Sequence, residues 1–385
     1  MKNDTIKRIF SIQSIARKWT RIMLIIISIL FFCILIIVGA LLVCSPGSQL
    51  PFLDKNGMPL AGSISEKTYV NINGMKMGMF IKSKDVKNPV LLYLHGGMPG
   101  YFLTQKYPTG LEDYFTIVWW DQRGSGLSYN ADIKPETITL EQMISDTKGV
   151  TNYLRKRFGQ EKIYLMGHSG GTFIGIQVAS RAPELYFAYI GVAQMSYQLK
   201  SEKLAYDYML KRFDGKGDKK MVKKLEAAPV TLTDGTPDAY LALRDKAMHS
   251  LGIGTTHNMN SVIMGVFLPS LINRDYTFSE KVNMWRGKSR SGVSWLWKNI
   301  LETDLSKKVI KLDIPVYFFH GIYDYTVSYT LAKEYFNLLQ APVKKFYTFE
   351  KSAHSPIFEE PEKVKQIFQE DVLAGRNNLA TNTER

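Results

Sequence analysis

The sequence predicts an α/β fold: a mostly parallel sheet with helices on both faces, a helical cap inserted between two of its strands, and a transmembrane helix in front. Three observations predict it. From about residue 74 to residue 192, short apolar runs end in Gly-rich turns and give way to amphipathic stretches. Such alternation of strand and helix implies a parallel sheet covered on both faces. The rhythm stops between about Tyr197 and Ser306, where the chain reads as helix and loop, and it returns at Ile314. Near the N-terminus, Ile22 to Val43 carries no charge, and only Ser28 and Gly39 interrupt its large apolar side chains.

In chain order, residues 1–21 form a basic segment with Lys2, Lys7, Arg8, Arg17, Lys18 and Arg21 against Asp4 alone. The apolar segment 22–44 follows, and its uncharged run reaches roughly 33 Å as a helix, enough to cross a bilayer core. A cleaved signal peptide would have a shorter apolar stretch and a small-residue exit, so an anchor is the better reading. Cys44 directly after the span raises lipidation, but the bulky Val43 before it argues against that. Basic residues ahead of the span keep the N-terminus cytoplasmic and place the rest of the chain outside the cell membrane. A linker is expected over 45–66, the first part of the core over 67–196, the cap over 197–306, the second part of the core over 307–374 and a polar, frayed tail over 375–385.

Within the core, strands are predicted at Gly74–Ser83, Val90–Leu94, Phe115–Trp120, Lys162–Met166, Phe187–Val192, Ile314–Phe319 and Lys344–Phe349. Helices are predicted at Leu140–Phe158, Gly171–Ser180, Tyr329–Leu339 and Glu359–Leu373.

Composition narrows the function. The chain is 45% hydrophobic and 22% charged, which is globular composition, with a net charge of +14. Its two cysteines, Cys33 and Cys44, lie in or beside the apolar segment, so nothing after them can form a disulfide, a thiolate zinc site or a thiol nucleophile. The six histidines form no HExxH or other tight cluster and no GxxxxGK[ST] loop occurs, so neither a metal nor another cofactor is expected. The basic surplus suits a surface beside anionic lipid or cell wall better than nucleic acid, though solvated lysine is the simpler account of it and the one preferred.

Gly167-His168-Ser169-Gly170-Gly171 fits G-x-S-x-G, directly between a predicted strand and a predicted helix, which is the context the motif requires. A sharp strand-to-helix turn pushes a serine hydroxyl clear of the sheet, and the small residues two positions either side let backbones approach. The N–H of Gly170, at a helix N-terminus, can bind a developing oxyanion. A second donor is expected from His95-Gly96-Gly97-Met98-Pro99-Gly100, with Gly97 the first choice and Gly96 the alternative. Read blandly, the two stretches are Gly-rich turns.

A serine nucleophile needs a base and the base an orienting carboxylate, in the order Ser, acid, His. Asp324 and His354 each follow a predicted strand at its C-terminal end, where open α/β sheets place their sites. Asp313 precedes its strand, Asp304 falls in the cap, and no acid follows Phe187–Val192 before Glu202. His320 reads as shaping the turn before Asp324, His168 as flanking the serine, and His249 and His257 as structural cap residues. Asp121 and Arg123 end a strand and read as scaffold that pairs locally.

These residues, with Asp121-Gln122-Arg123-Gly124-Ser125-Gly126, make the sequence resemble the α/β-hydrolase superfamily over roughly Met75 to Leu373. Within it the sequence is similar to the proline iminopeptidase-like branch, serine peptidase family S33. The resemblance implies Ser169 as nucleophile, His354 as base, Asp324 as its partner, and a helical cap that selects substrate. One departure is that Met98 stands before Pro99-Gly100, where the branch usually reads His-Gly-Gly-Pro-Gly.

An aminopeptidase must hold its substrate's ammonium, for which Glu202, Asp207, Asp234, Asp238, Asp245 and Glu280 are cap candidates. An esterase needs an apolar pocket, which Met209, Met248, Met259, Met264, Phe267, Trp285, Trp295 and Trp297 could line, unless they form the cap's own core. The partners expected are therefore a small-molecule or short-peptide substrate and the lipid bilayer. A tethered domain that only binds is the non-enzymatic alternative. A dehalogenase or epoxide hydrolase is excluded by a serine where those enzymes need an aspartate.

Overall fold

The computed structural model describes residues 2–379, and side chains from residue 17 onward. Residues 1 and 380–385, the latter most of the tail expected over 375–385, lie outside the described residues. Lys2–Val43 is one helix, and its part Arg17–Val43 is long and apolar enough to cross a membrane, with none of it buried.

Eight strands form one sheet: β1 (Ile64–Ile72), β2 (Met75–Ser83), β3 (Val90–Leu94), β4 (Thr116–Trp120), β5 (Ile163–His168), β6 (Tyr186–Val192), β7 (Val316–Gly321) and β8 (Lys344–Phe349). Their order is β1-β2-β4-β3-β5-β6-β7-β8. Only β2 runs against its neighbours, and every other pair away from β1 is parallel. The mostly parallel sheet expected from the sequence is thus present. Where helices cover both faces, strands need unbroken apolar runs, and β3 and β4 are buried at every position.

β1 was not anticipated, and it begins inside the segment read as linker. It is an edge strand, largely half-buried, so its hydrophobic alternation is weak. The turn that joins it to β2, Asn73-Gly74, has φ of 49° and 74°, the left-handed pair of a two-residue hairpin. That Asn-Gly dipeptide was the available signal.

Helix Leu140–Phe158 has the predicted bounds, with the Thr139 hydroxyl capping its start and Gly159, at φ 64°, ending it. Together with Gly170–Arg181 it covers one face of the sheet, where Val150, Leu154, Phe173 and Ile176 join the core. Phe115, Ile357, Val364 and Phe368 cover the other face. The single helix expected at Glu359–Leu373 is instead Pro356–Glu359, Pro361–Ile367 and a π-helical turn at Phe368–Val372, because Pro361 has no N–H to continue the ladder. Between β6 and β7 lies a run of helices from Gln198 to Lys308, with its own core around Met209, Phe213, Tyr240 and Met248.

Two glycines set how closely the layers approach. A Cβ on Gly171 would lie 2.1 Å from the Leu94 carbonyl oxygen and 2.7 Å from that of His95, so the helix after Ser169 rests directly on the end of β3. On Gly321 it would lie 2.1 Å from the Ala353 carbonyl oxygen, which brings the loop after β8 against the end of β7. Backbone cannot retreat from such a contact as a side-chain tip can, so Gly171→Ala is expected to cost about 3 kcal/mol or more. Gly97→Ala, with nothing within 4 Å of its Cβ, should stay within about 0.5 kcal/mol of the wild type. Thermal unfolding of the two variants side by side reads the contrast, and equal midpoints would contradict it.

Candidate active site

Ser169 sits where β5 passes into the helix Gly170–Arg181, with φ 55° and ψ −126°. A non-glycine residue in this region costs about 1–3 kcal/mol and persists only where its surroundings enforce it. Here the Ser169 N–H donates to Val192 O at 3.0 Å, and its carbonyl accepts from the Thr172 N–H at 2.8 Å and the Thr172 hydroxyl at 2.6 Å. Gly167 and Gly171 leave no room for side chains, because a Cβ on Gly167 would meet Gly171 O at 2.8 Å.

Asp324 and His354 arrive from the C-terminal ends of β7 and β8 and meet. His354 Nδ1 is 2.9 Å from Asp324 Oδ2, which leaves Nε2 as the ring nitrogen without a partner among the described residues. Asp324 Oδ1 accepts the Val327 N–H at 2.9 Å. His320 Nε2 lies 3.2 Å from Asp324 Oδ2 and 3.0 Å from Val327 O, so it shapes this turn as expected. Burial alone would raise the Asp324 carboxyl, but His354, then His320, outweigh it and hold it well below the usual range. The His354 N–H donates to Gly254 O in the cap at 3.3 Å. The Glu359 carboxylate gathers the N–H groups of Ala353 at 3.0 Å and Ser355 at 3.2 Å, and burial pushes its pKa up to about 7.

His168 does more than flank the serine. Its Nε2 is 2.8 Å from His354 O and its Nδ1 2.9 Å from the Tyr93 hydroxyl. Burial, then the neighbouring His354, lowers its pKa to about 3. The ring is therefore neutral, its Nε2–H donates to His354 O, and it ties the Ser169 turn to the His354 loop.

His95 does the same for the glycine loop. Its Nε2 accepts the Gln122 N–H at 3.1 Å, so Nδ1 carries the proton and donates to Gly96 O at 2.8 Å. Burial lowers its pKa to about 4, consistent with the neutral tautomer. Carbonyl and N–H point oppositely across a trans peptide, so holding Gly96 O toward His95 turns the Gly97 N–H the other way. Among the described residues neither the Gly97 nor the Gly170 N–H has a hydrogen-bond partner. Gly96 presses on the serine, and a Cβ there would lie 2.8 Å from Ser169 Cβ.

Ser169, His354, Gly96 and Gly97 share a cavity of about 180 Å³ under the cap, with Asp324 behind His354. Ser169 Oγ makes no hydrogen bond among the described residues, a common state of unliganded sites that tightens in the substrate complex. Of the six cap carboxylates, Asp245 alone lines this cavity. Glu202 is buried and satisfied by Arg244, Tyr240 and Gln198, and Glu280 serves Lys67, Tyr69 and the start of its own helix. Asp207 pairs with Lys203, the Asp234 carboxylate accepts the Thr231 and Thr233 hydroxyls, and Asp238 is an exposed helix start. Of the eight apolar candidates only Met248 reaches the cavity. Met209 is cap core, Trp295 and Trp297 pack on the main core, and Met264 and Phe267 are exposed.

His257 is bonded to Gly252 O, whereas His249, expected to be a structural cap residue, lines the cavity as well, with its Nδ1 bonded to Asp245 O and its Nε2 to the Thr255 hydroxyl. Asp121 and Arg123 do not pair with each other. Asp121 accepts the Leu127 N–H, while Arg123 binds Asp146. Among the described residues no group of three His, Cys, Asp or Glu could hold a metal.

A family model described as alpha/beta hydrolase fold matches residues 89–361. The chain belongs to that family. It is a hydrolase, and its relatives include members of the branch the sequence resembles. A probable aminopeptidase, YbaC of Bacillus subtilis (strain 168), is 32% identical over 79% of this chain and 95% of its own length. A proline iminopeptidase of Saccharolobus solfataricus is 24% identical over 79% and 91%. Among solved structures, a proline iminopeptidase-related protein from Thermus thermophilus superposes with TM-score 0.57 at 18% identity, over 81% of this chain and 98% of that one.

The neutral buried His168 gives this hydrolase a testable acid response. Its folded pKa lies below the unfolded value of about 6.5, so its contribution is complete above that pH and is lost as pH falls toward 3. Asp121, raised by burial to about 8, and Glu359 act in the opposite sense over the same window, so the wild-type profile alone is uninformative. The stability difference between His168→Gln and wild type should shift in favour of the variant by roughly 2 kcal/mol between pH 7 and pH 5. Urea unfolding at the two pH values measures it, and a difference independent of pH would show that His168 is not held neutral.

Proposed function

We propose that this hydrolase is a membrane-anchored serine aminopeptidase that removes the N-terminal residue of short peptides through an acyl-enzyme. His354, paired with Asp324 and sharing a cap-covered cavity with Ser169 at a strained strand-to-helix turn, is the observation that carries the reading. Ser169 Oγ attacks the scissile carbonyl carbon as His354 Nε2 takes its proton. The carbonyl oxygen becomes an oxyanion facing the Gly97 and Gly170 N–H groups. The C–N bond then breaks, and the leaving amine receives the proton from His354. Water, deprotonated by His354, attacks the ester carbonyl carbon, the bond from that carbon to Ser169 Oγ breaks, and His354 returns the proton to Oγ as the amino acid leaves. Asp324 stabilises the imidazolium in both halves. No cofactor takes part.

Asp245 supports the choice of an aminopeptidase. It lines the same cavity as Ser169, and Arg244, which pairs with it at 3.2 Å, with Lys288 and His249 outweighs burial to keep its carboxyl below the usual range. It therefore stays ionised and can receive the ammonium of a free N-terminus. A second reading, a carboxylesterase for small acyl esters, is favoured by Phe102, Leu103, Met248, Val262, Val266 and Phe358 in the same wall. For Arg17–Val43, the cluster Arg17, Lys18 and Arg21 at one end supports a single span with the N-terminus cytoplasmic and the hydrolase domain outside.

Ser169→Ala should lose activity by roughly 10⁴-fold and lose fluorophosphonate labelling, while its thermal midpoint is kept, because alanine retains the Cβ and tolerates the turn no worse than serine. Retained turnover would remove the mechanism. Asp245→Asn should raise KM for aminoacyl-arylamides by roughly tenfold, with little change for short acyl esters. If wild type cleaves only the esters, the carboxylesterase reading stands in place of the peptidase.

A further inference from the structure

The cap segment Ile263–Ile272 is built like a surface helix whose partner is an apolar phase. Ile263, Met264, Phe267, Leu268 and Ile272 are exposed at 66, 60, 41, 38 and 50%. Their spacing puts them on one helical face, and from Ser261 to Asn273 the chain carries no charge. The opposite face is used differently. Gly265, Pro269 and Ser270 are buried, and Val262 and Val266 line the cavity that holds Ser169. Outside Arg17–Val43, no other stretch of ten described residues exposes five large apolar side chains.

Where this face lies identifies what covers it. The Lys281 ammonium, itself fully buried, bonds to Cys44 O at 3.3 Å, Ser45 Oγ at 2.7 Å and Leu271 O at 2.6 Å. One ammonium thus clasps both the first residues after the N-terminal helix and the end of the apolar cap segment. Pro46 bridges Thr277, and the Gly47 N–H donates to Arg274 O at 3.0 Å, so the chain leaves the helix held against the cap. If Arg17–Val43 spans the bilayer, its last turn is at headgroup level, and Leu271 is at that level with it. The segment is also flanked by exposed cations, Lys106, whose ammonium sits 3.4 Å from Met264 O, and Arg274. Cations around an apolar helical face suit lipid phosphates above and acyl chains below.

We propose that Ile263–Ile272 is a second, interfacial membrane contact, seated in the leaflet from which the N-terminal helix emerges. The cavity wall formed by Val262 and Val266 then stands at the membrane surface, and the substrates favoured are amphiphiles, such as peptides with an apolar portion, that collect at the lipid–water interface. The proposal rests on the anchored reading of Arg17–Val43.

The test uses the full chain in phosphatidylcholine vesicles, with an environment-sensitive NBD label on one cysteine at a time. Native Cys33, in a Cys44→Ser background, probes the span. Met264→Cys and, separately, Ile263→Cys, both in a Cys33→Ser/Cys44→Ser background, probe the cap face. Glu362→Cys in that background is the aqueous control. The expected result is blue-shifted emission, and loss of intensity to lipids carrying a nitroxide near the headgroup, at positions 264 and 263 but not at 362. Quenching of the Cys33 label by deep nitroxides with none at 264 and 263 would overturn the interfacial contact while keeping the anchor. No quenching at Cys33 would overturn the anchor itself, and the proposal with it. A blue shift at 264 that depends on protein density and not on nitroxide would mean that a second copy covers the face, which also overturns the proposal.

Discussion

The site depends on one backbone constraint, the left-handed conformation of Ser169. A serine at φ 55° is unfavourable alone, and here the sheet enforces it. Gly171 lies so near the Leu94 and His95 carbonyls that the helix after Ser169 can begin only directly on the end of β3. β5 must therefore turn within a single residue. That turn also leaves the Gly170 N–H unbonded at the start of the helix, so one constraint supplies both an exposed hydroxyl and a donor beside it. The strain is small against the burial of the surrounding core, which is why it can be kept at a functional position.

The remaining polar groups are positioned by neutral histidines as much as by charges. His95 fixes the glycine loop, and His168 ties the Ser169 turn to His354. A buried imidazole kept neutral donates with one nitrogen and accepts with the other, so it joins two loops without adding a charge to desolvate. Asp324 is then the one strongly stabilised ion behind the cavity, and a positive charge arising on His354 meets it directly.

Much of this was legible in the sequence, because the relevant signals are local. β3, β8 and the helix Leu140–Phe158 have the predicted bounds, and Ser169, Asp324 and His354 converge because each follows a strand of one parallel sheet. The parts that were not legible depend on contacts distant in sequence. β1 is an edge strand whose only strong cue was Asn73-Gly74. The role of Glu359, a carboxylate gathering N–H groups from the His354 loop and the cap, has no spacing that marks it. Six cap carboxylates were equivalent in sequence, and only packing separates Asp245, which faces the cavity, from Glu202, which is enclosed by Arg244.

That enclosed pair explains how a mobile-looking insertion can present a defined wall. A buried ion pair adds little net stability, because desolvating two charges offsets most of their attraction. Its geometry is nevertheless strict. Glu202 binds the Arg244 guanidinium through both oxygens, Gln198 and Arg244 both reach the Thr326 carbonyl, and Ser201 Oγ accepts the Ser328 N–H at 2.7 Å. Thr326 and Ser328 belong to the turn that carries Asp324. The cap helices Gln198–Gly215 and Asp238–Ser250 are therefore fastened to the same turn that orients His354, and Asp245, one residue after Arg244, takes its place from that attachment. At the far side of the cap, Lys281 performs the corresponding task for the chain leaving the N-terminal helix. Held at both ends, the cap relates the end of the N-terminal helix to the position of Ser169 through fixed polar contacts, so the distance between them is a property of the fold and not of a flexible linker.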